Sequence, residues 1–165
     1  MPDLEGLLTR LIEHHVDFVV VGGFAVVAHG GTLLTQDVDI CCDFTPENLL
    51  RLQQAVADLH PVHRMTPARR ALNLTPAECS GLKNLYLDTD YGQLDCLGNV
   101  RGLGGFAQVK RRSIEVQLDA GPCRILSLDE LIAAKEAMGR PRDKEAATQL
   151  RAIRERKTED GDALE

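Results

Sequence analysis

Apolar residues recur along the chain with two periods, and the points where one gives way to the other divide it into elements. Leu4, Leu7, Leu8, Leu11 and Ile12 fall three or four apart, the spacing of one helix face, and predict an amphipathic helix over 3–15. His14 and His15 at its end complement the helix dipole and need no other role. Residues 17–21 are β-branched and aromatic, stop at Gly22-Gly23, and read as a buried strand running into a turn. A short helix over 24–29 follows, closed by Gly30-Gly31, and residues 36–42 then alternate as a second strand. Thr45 and Pro46 supply an N-cap and a first-position proline for a helix that runs to about Leu59 along Leu49, Leu50, Leu52 and Val56.

Residues 60–80 lose the period, carry prolines at 61, 67 and 76 and arginines at 64, 69 and 70, and read as a long loop passing over the sheet near a site. Strands are expected over 82–88 and 93–97, joined by the turn sequence Thr89-Asp90-Tyr91-Gly92. The glycine-rich stretch 98–105 reads as mobile, and 113–118 with 123–126 as a hairpin around Asp119-Ala120-Gly121. Ser127 and Glu130 have capping-box spacing ahead of a helix carrying Leu131, Ile132, Ala134 and Lys135 and closed by Gly139. Pro141 opens a last helix to about Arg156. No internal repeat is present. Helices at both ends around a mixed sheet of four to five strands make this an α/β or α+β fold, with one domain over 1–157 and a frayed acidic tail over 158–165.

Composition narrows the class. A chain of 165 residues, 44% apolar and 27% charged, fits one globular domain and is not a disordered protein. The longest apolar stretches, such as 18–21, are far short of the ~20 residues that span a bilayer, so no membrane helix is expected. The N-terminus carries acid where a secretory signal carries base, which makes the cytoplasm the expected compartment. Cysteines at 41, 42, 79, 96 and 123 include no C-x-x-C pair, and buried free thiols are the expected state. The net charge of −6 is unevenly spread: residues 1–100 carry −7, 101–157 carry +5, and 158–165 carry −4. That overall charge argues against tight binding to a long duplex, while the polarity suits a molecule that attracts cations at one end and phosphates at the other. Charged helices falling late in the chain would give the same distribution.

The chemistry-bearing segment is Val21-Gly22-Gly23 followed, fourteen residues later, by Asp37-Val38-Asp39-Ile40. Residues two apart on a strand share a face at about 6.5–7 Å, so both carboxylates project together while Val38 and Ile40 face the core. Asp95, in Gly92-Gln93-Leu94-Asp95-Cys96-Leu97, alternates in the same way, and a neighbouring strand could bring it to the same place. Three carboxylates about 4 Å apart repel by roughly 4 kcal/mol per pair at an effective dielectric of 20, a cost that a divalent cation removes. Hard oxygen ligands of this kind suit Mg2+, and two such ions could clamp the attacking and leaving oxygens of an in-line displacement. Gly22 and Gly23 clear side chains from the turn, so backbone amides can meet a triphosphate. Lys135, in an otherwise apolar helical stretch, is a candidate phosphate cation, or else a lysine snorkelling from a helix edge. Asp143 is placed to orient Lys135 or Arg140. Taken singly, Asp-x-Asp is more often a solvated strand face and Gly-Gly a plain turn; the combination in this order carries the functional reading.

Strand, Gly-Gly, helix ending in His29-Gly30, then Thr35-x-Asp37-hydrophobic-Asp39, and later Gly92-x-hydrophobic-Asp95 together resemble the minimal nucleotidyltransferases of the DNA polymerase β superfamily. The pattern looks closest to the bacterial group associated with abortive infection and toxin–antitoxin systems. It covers about 11–153, including the helix around Lys135 and the segment 139–144. The resemblance implies transfer of a nucleoside monophosphate from a nucleoside triphosphate to a hydroxyl of RNA, tRNA included, or of protein. It implies Asp37, Asp39 and Asp95 as metal ligands, Asp95 also as base, Gly22 and Gly23 on phosphate, and an antitoxin protein as a partner. Lys110, Arg111, Arg112, Arg151, Arg154 and Arg156 could contact tRNA or an acidic partner, or simply face solvent. Related sequences commonly carry arginine two residues before the motif threonine, where this chain has Leu33. A module of the same fold that binds nucleotide or a partner without transferring anything is the alternative reading. His29 is expected to pack or hydrogen-bond behind the site.

Overall fold

The computed structural model describes residues 2–31 and 35–164, with side chains through Glu159. In chain order the helices are α1 (Leu4–Glu13), α2 (Gly23–Ala28), α3 (Pro46–Val56), α4 (Pro76–Cys79), α5 (Phe106–Arg111), α6 (Leu128–Met138) and α7 (Pro141–Leu164). The strands are β1 (Phe18–Val20), β2 (Asp37–Cys42), β3 (Val62–His63), β4 (Asn84–Thr89), β5 (Gly92–Leu97), β6 (Asn99–Val100), β7 (Gly104–Gly105), β8 (Ser113–Leu118) and β9 (Gly121–Leu126). Seven of them form one mixed sheet in the order β3-β4-β5-β2-β1-β9-β8, and β6 and β7 form a separate small ladder.

The sheet is wider than the four to five strands expected. β8 and β9 join it because β9 lies parallel to β1, with Val20 opposite Ile125, and β3 adds a two-residue edge beside β4. A period of two marks a strand but carries no information about which sheet it joins. The central pairs are β2 with β1, antiparallel, and β2 with β5, parallel. Val19, Val20, Val38, Ile40, Leu94 and Cys96 from these strands are fully buried with Leu7, Leu8 and Leu11 of α1 and Leu49 and Leu52 of α3. Each such side chain contributes roughly 1.5–3 kcal/mol by leaving water. Buried Asn48 ties α3 to the sheet: its Oδ1 accepts from Asp17 N at 2.7 Å, and its Nδ2 donates to the carbonyls of Asp17 and Asp43 at 3.0 and 2.7 Å.

Several expectations need correction. The stretch 60–80 contains β3 and α4, and the glycine-rich stretch 98–105 contains β6 and β7. α5, absent from the sequence reading, follows directly, with Val109 buried. Ser127 precedes α6 but its side chain makes no cap; Glu130 turns instead to Arg112 at 3.4 Å. α7 continues to Leu164, past Arg156. All five cysteines are free and buried, as expected, and burial pushes the Cys41 thiol up to about 12 and that of Cys123 to about 11. No helix among the described residues is long and apolar enough to cross a membrane.

Candidate active site

Register places the three carboxylates. β2 and β5 run parallel with Asp39 directly opposite Asp95, and directly opposed residues on neighbouring strands share a face. Asp37, two residues earlier, lies on that face too, while Val38, Ile40, Leu94 and Cys96 alternate into the core. One carboxylate oxygen from each of Asp37, Asp39 and Asp95 lies within 4.8 Å of the others. Thr35 Oγ holds Asp37, donating toward its carboxylate at 3.1 Å and its carbonyl at 3.0 Å. Burial, then the charges of Asp37 and Asp95, push the Asp39 carboxyl up to about 6, with Lys135 and Arg64 opposing. Burial also raises Asp95 above the usual carboxylate range, against the pull of Arg64. A cation coordinated by all three would relieve this self-repulsion, so the donor set fits a hard divalent ion.

Gly22 is glycine for a steric reason. A Cβ there would lie 2.2 Å from Asp39 Oδ2 and 2.6 Å from Asp39 Cβ, and one on Gly23 would lie 3.0 Å from Thr35 Oγ. The Gly-Gly turn is thus packed directly against the acidic cluster, and Val21 N donates to Asp39 O at 2.9 Å. Lys135 sits on the Asp39 side of the cluster, only 18% exposed, with Nζ 3.7 Å from Asp143. Asp143, buried at 1% exposure, also takes Arg140 Nε at 2.5 Å, which holds its carboxyl below the usual range. The expected choice between Lys135 and Arg140 as its partner resolves to both.

The sequence reading missed the role of Arg64. The two-residue strand β3 sets His63 opposite Leu87, which brings Arg64 opposite Tyr86, whose carbonyl accepts from Arg64 N at 2.9 Å. Tyr86 is opposite Asp95, and Asp95 is opposite Asp39. Arg64, Tyr86, Asp95 and Asp39 therefore form one row across four strands. The Arg64 guanidinium pairs with Asp95, approaches Asp88 at 3.8 Å and lies 5.8 Å from the Tyr86 ring centre. Arg64, directly after β3, thus sets a guanidinium against the cluster from the edge of the sheet. Leu33, where related sequences carry an arginine, lies outside the described residues.

His29 is buried at the C-terminal end of α2, with Nε2 2.9 Å from Leu126 O and Nδ1 3.4 Å from Lys157 Nζ, and burial lowers its pKa. Arg112, Arg151 and Arg154 are paired with Glu130, Glu136 and Asp129, which favours the structural reading of those basic residues. A cavity of about 510 Å³ lined by Ile12, Val16, Phe18, Phe106, Pro122 and Arg124 lies by the first residues of β1. The acids lie beside its exit at Val21 and share none of that lining.

No protein-family model matches the chain, and no curated protein matches it. Solved structures do. The lincosamide antibiotic adenylyltransferase LnuA in its lincomycin-bound form superposes with a TM-score of 0.60 at 17% identity, over 92% of this chain and 98% of that one. The chain has the nucleotidyltransferase fold. The same nucleotidyltransferase fold is shared with the antibiotic-resistance factor ANT(2″)-Ia, at a TM-score of 0.54 and 17% identity over 97% of this chain and 91% of that one. A Thermotoga maritima chain assigned as a nucleotidyltransferase gives 0.53 at 15% identity, over 90% of this chain and 91% of the other. The resemblance read from Gly22-Gly23, Asp37-x-Asp39 and Asp95 therefore holds at the level of the fold.

Proposed function

We propose that the chain is a magnesium-dependent nucleotidyltransferase that moves a nucleoside monophosphate from a nucleoside triphosphate to an acceptor hydroxyl. The observation that carries the reading is the convergence of Asp37, Asp39 and Asp95 within 4.8 Å, beside a Gly-Gly turn, on this fold. Asp37, Asp39 and Asp95 would hold Mg2+, which when bound neutralises phosphate charge and stabilises the leaving pyrophosphate. Gly22 and Gly23 keep the turn clear of side chains for the triphosphate, and Lys135 places a positive charge on the same side. The acceptor oxygen forms a bond to the α-phosphorus as the bond to the β-phosphate bridging oxygen breaks, and pyrophosphate leaves. Asp95, directly opposite Asp39 and open to the β4 side, takes the proton of the hydroxyl.

The acceptors named for the neighbours are antibiotics, lincomycin for LnuA and tobramycin, as its adenylyl derivative, for ANT(2″)-Ia. RNA or protein hydroxyls, and an antitoxin partner, rest on the sequence resemblance alone. The test is incubation of purified protein with labelled triphosphates, magnesium and total cell extract, following transferred label and released pyrophosphate. Native protein is expected to label an acceptor, and Asp37→Ala and Asp39→Ala to lose at least about 100-fold, the equivalent of about 3 kcal/mol in the barrier. Equal labelling by all three would remove the site. Triphosphate binding without pyrophosphate release from any of the four would identify a binding module instead.

A further inference from the structure

We propose that the wall beyond Asp95, carrying Arg64 and Arg69, binds a phosphate group of the acceptor, so that the compound receiving the nucleotide is itself a phosphate ester. The inference rests on the transferase reading and names the acceptor class of that same site. Gly22, Gly23 and Lys135 occupy the Asp39 side of the cluster and are assigned to the triphosphate, which leaves the β4 side, past Asp95, for the acceptor.

That side is charged against the trend of its surroundings. Residues 1–100 carry only six basic side chains against thirteen acidic, and two of the six, Arg64 and Arg69, meet on this wall. Two carboxylates face them, and both are engaged. Asp95 belongs to the cluster, and Asp88 is shared by Arg64 at 3.8 Å and Arg69 at 2.6 Å. Arg70 is opposite His63 and so belongs to the other face of the sheet. Once Asp95 is committed to a cation, two guanidinium groups share the single charge of Asp88. Arg64 Nε is buried and makes no hydrogen bond, so its fork is under-used in the existing pairs.

The arginines are also held in place. Arg64 is fixed by its backbone bond to Tyr86, and Arg69 sits at a φ of +44° in a turn closed by its N–H to Thr66 O at 3.1 Å. Planar, under-paired guanidinium groups match phosphate oxygens bidentately. A polyamine acceptor would find no unpaired carboxylate on this wall and would face net positive charge. Tyr86, half-buried between Arg64 and Asp95 in the row, offers a ring edge for the sugar or base attached to the phosphate. The net charge of −6 confines recognition to a few phosphates near the reacting hydroxyl. Two sources share this chemistry: the end of a single-stranded polynucleotide, or a small sugar phosphate.

The experiment measures binding to the full chain with magnesium and a non-hydrolysable triphosphate analogue. The probes are a fluorescent five-nucleotide single-stranded RNA with a free 3′-hydroxyl, ribose 5-phosphate as competitor, and tobramycin as a polycation. The RNA is expected to bind native protein, and R69A to weaken it by about 5-fold, flattening the log–log salt dependence by about 0.7 for the lost phosphate contact. R69K should recover part of the affinity, and analogue affinity should change less than about twofold, which separates lost recognition from lost folding. Displacement by ribose 5-phosphate identifies a small sugar phosphate as the source, and its absence a polynucleotide. Native protein that binds the analogue but neither phosphate ester, or prefers tobramycin, overturns this inference alone. So does R69A binding the RNA as native protein does. Failure of native protein to bind the analogue overturns the transferase reading and this inference with it.

Discussion

Gly22 and Asp39 set the local limits on the site. The missing Cβ of Gly22 is the space that Asp39 occupies, since a methyl there would meet the aspartate at 2.2 Å and its own Cβ at 2.6 Å, too close to the backbone to swing aside. Gly22→Ala is expected to cost about 1–3 kcal/mol by overpacking and to weaken magnesium binding, read by urea melts and titration calorimetry. Asp39 also makes the metal-free protein sensitive to pH. Its folded pKa, about 6, exceeds the ordinary 3.8, so between these values the native state holds more protons than the unfolded one, and stability falls as pH rises through that window. The size is on the order of 2–3 kcal/mol. Melting temperature without metal should drop more steeply from pH 4 to 7 in native protein than in Asp39→Asn. Magnesium should restore more stability at pH 7.5 than at pH 5, and identical profiles for the two proteins would remove this role from Asp39.

At the scale of elements, α6 and α7 are joined through one buried carboxylate. Asp143 lies in the first turn of α7, takes Arg140 and Lys135 at once, and so fixes the lysine assigned to the triphosphate. Asp143→Ala would strand Lys135 in a mostly buried position, and a loss of about 2–4 kcal/mol is expected on chemical denaturation. The Asp143 pKa is depressed in the folded state, so its contribution is complete above the ordinary carboxylate range and disappears as pH falls through the folded value. The stability gap between native protein and Asp143→Ala should therefore close in acid. This helix pair was legible in the sequence, because Gly139 at a φ of +69° and Pro141 punctuate it sharply. α5 was not: it is a six-residue helix between a glycine-rich stretch and three consecutive basic residues, with Val109 as its one buried anchor. The capping box failed for a different reason. Ser127 and Glu130 have the right spacing, but Arg112 offers the glutamate an opposite charge, and a local pattern does not report a competitor eighteen residues upstream.

The whole molecule adds register. Alternation around Asp37, Asp39 and Asp95 marked each as facing away from the core, but their meeting depends on β5 lying beside β2, parallel, with Asp95 opposite Asp39. One residue of slip would turn Asp95 into the core and leave two carboxylates. The same register extends through Tyr86 to Arg64, and nothing in residues 60–80 announced that a two-residue strand would align it. A site assembled from β1, β2, β5, α6 and the β3–β4 edge couples ligand binding to the global unfolding equilibrium, because unfolding any one of these elements disperses it. Magnesium with a triphosphate analogue at about 100 times its dissociation constant should then stabilise the fold by about 2.7 kcal/mol, or roughly 5–10 °C in melting temperature for a chain of this length. Magnesium alone should give a smaller shift, and the analogue without magnesium smaller still, since the three carboxylates repel an unaccompanied triphosphate. Asp37→Ala should abolish the magnesium-dependent part while retaining native-like circular dichroism, because Asp37 is half-exposed and its removal relieves repulsion on Asp39. A full shift in that variant would place the triphosphate away from the row of carboxylates and separate the fold from the chemistry assigned to it.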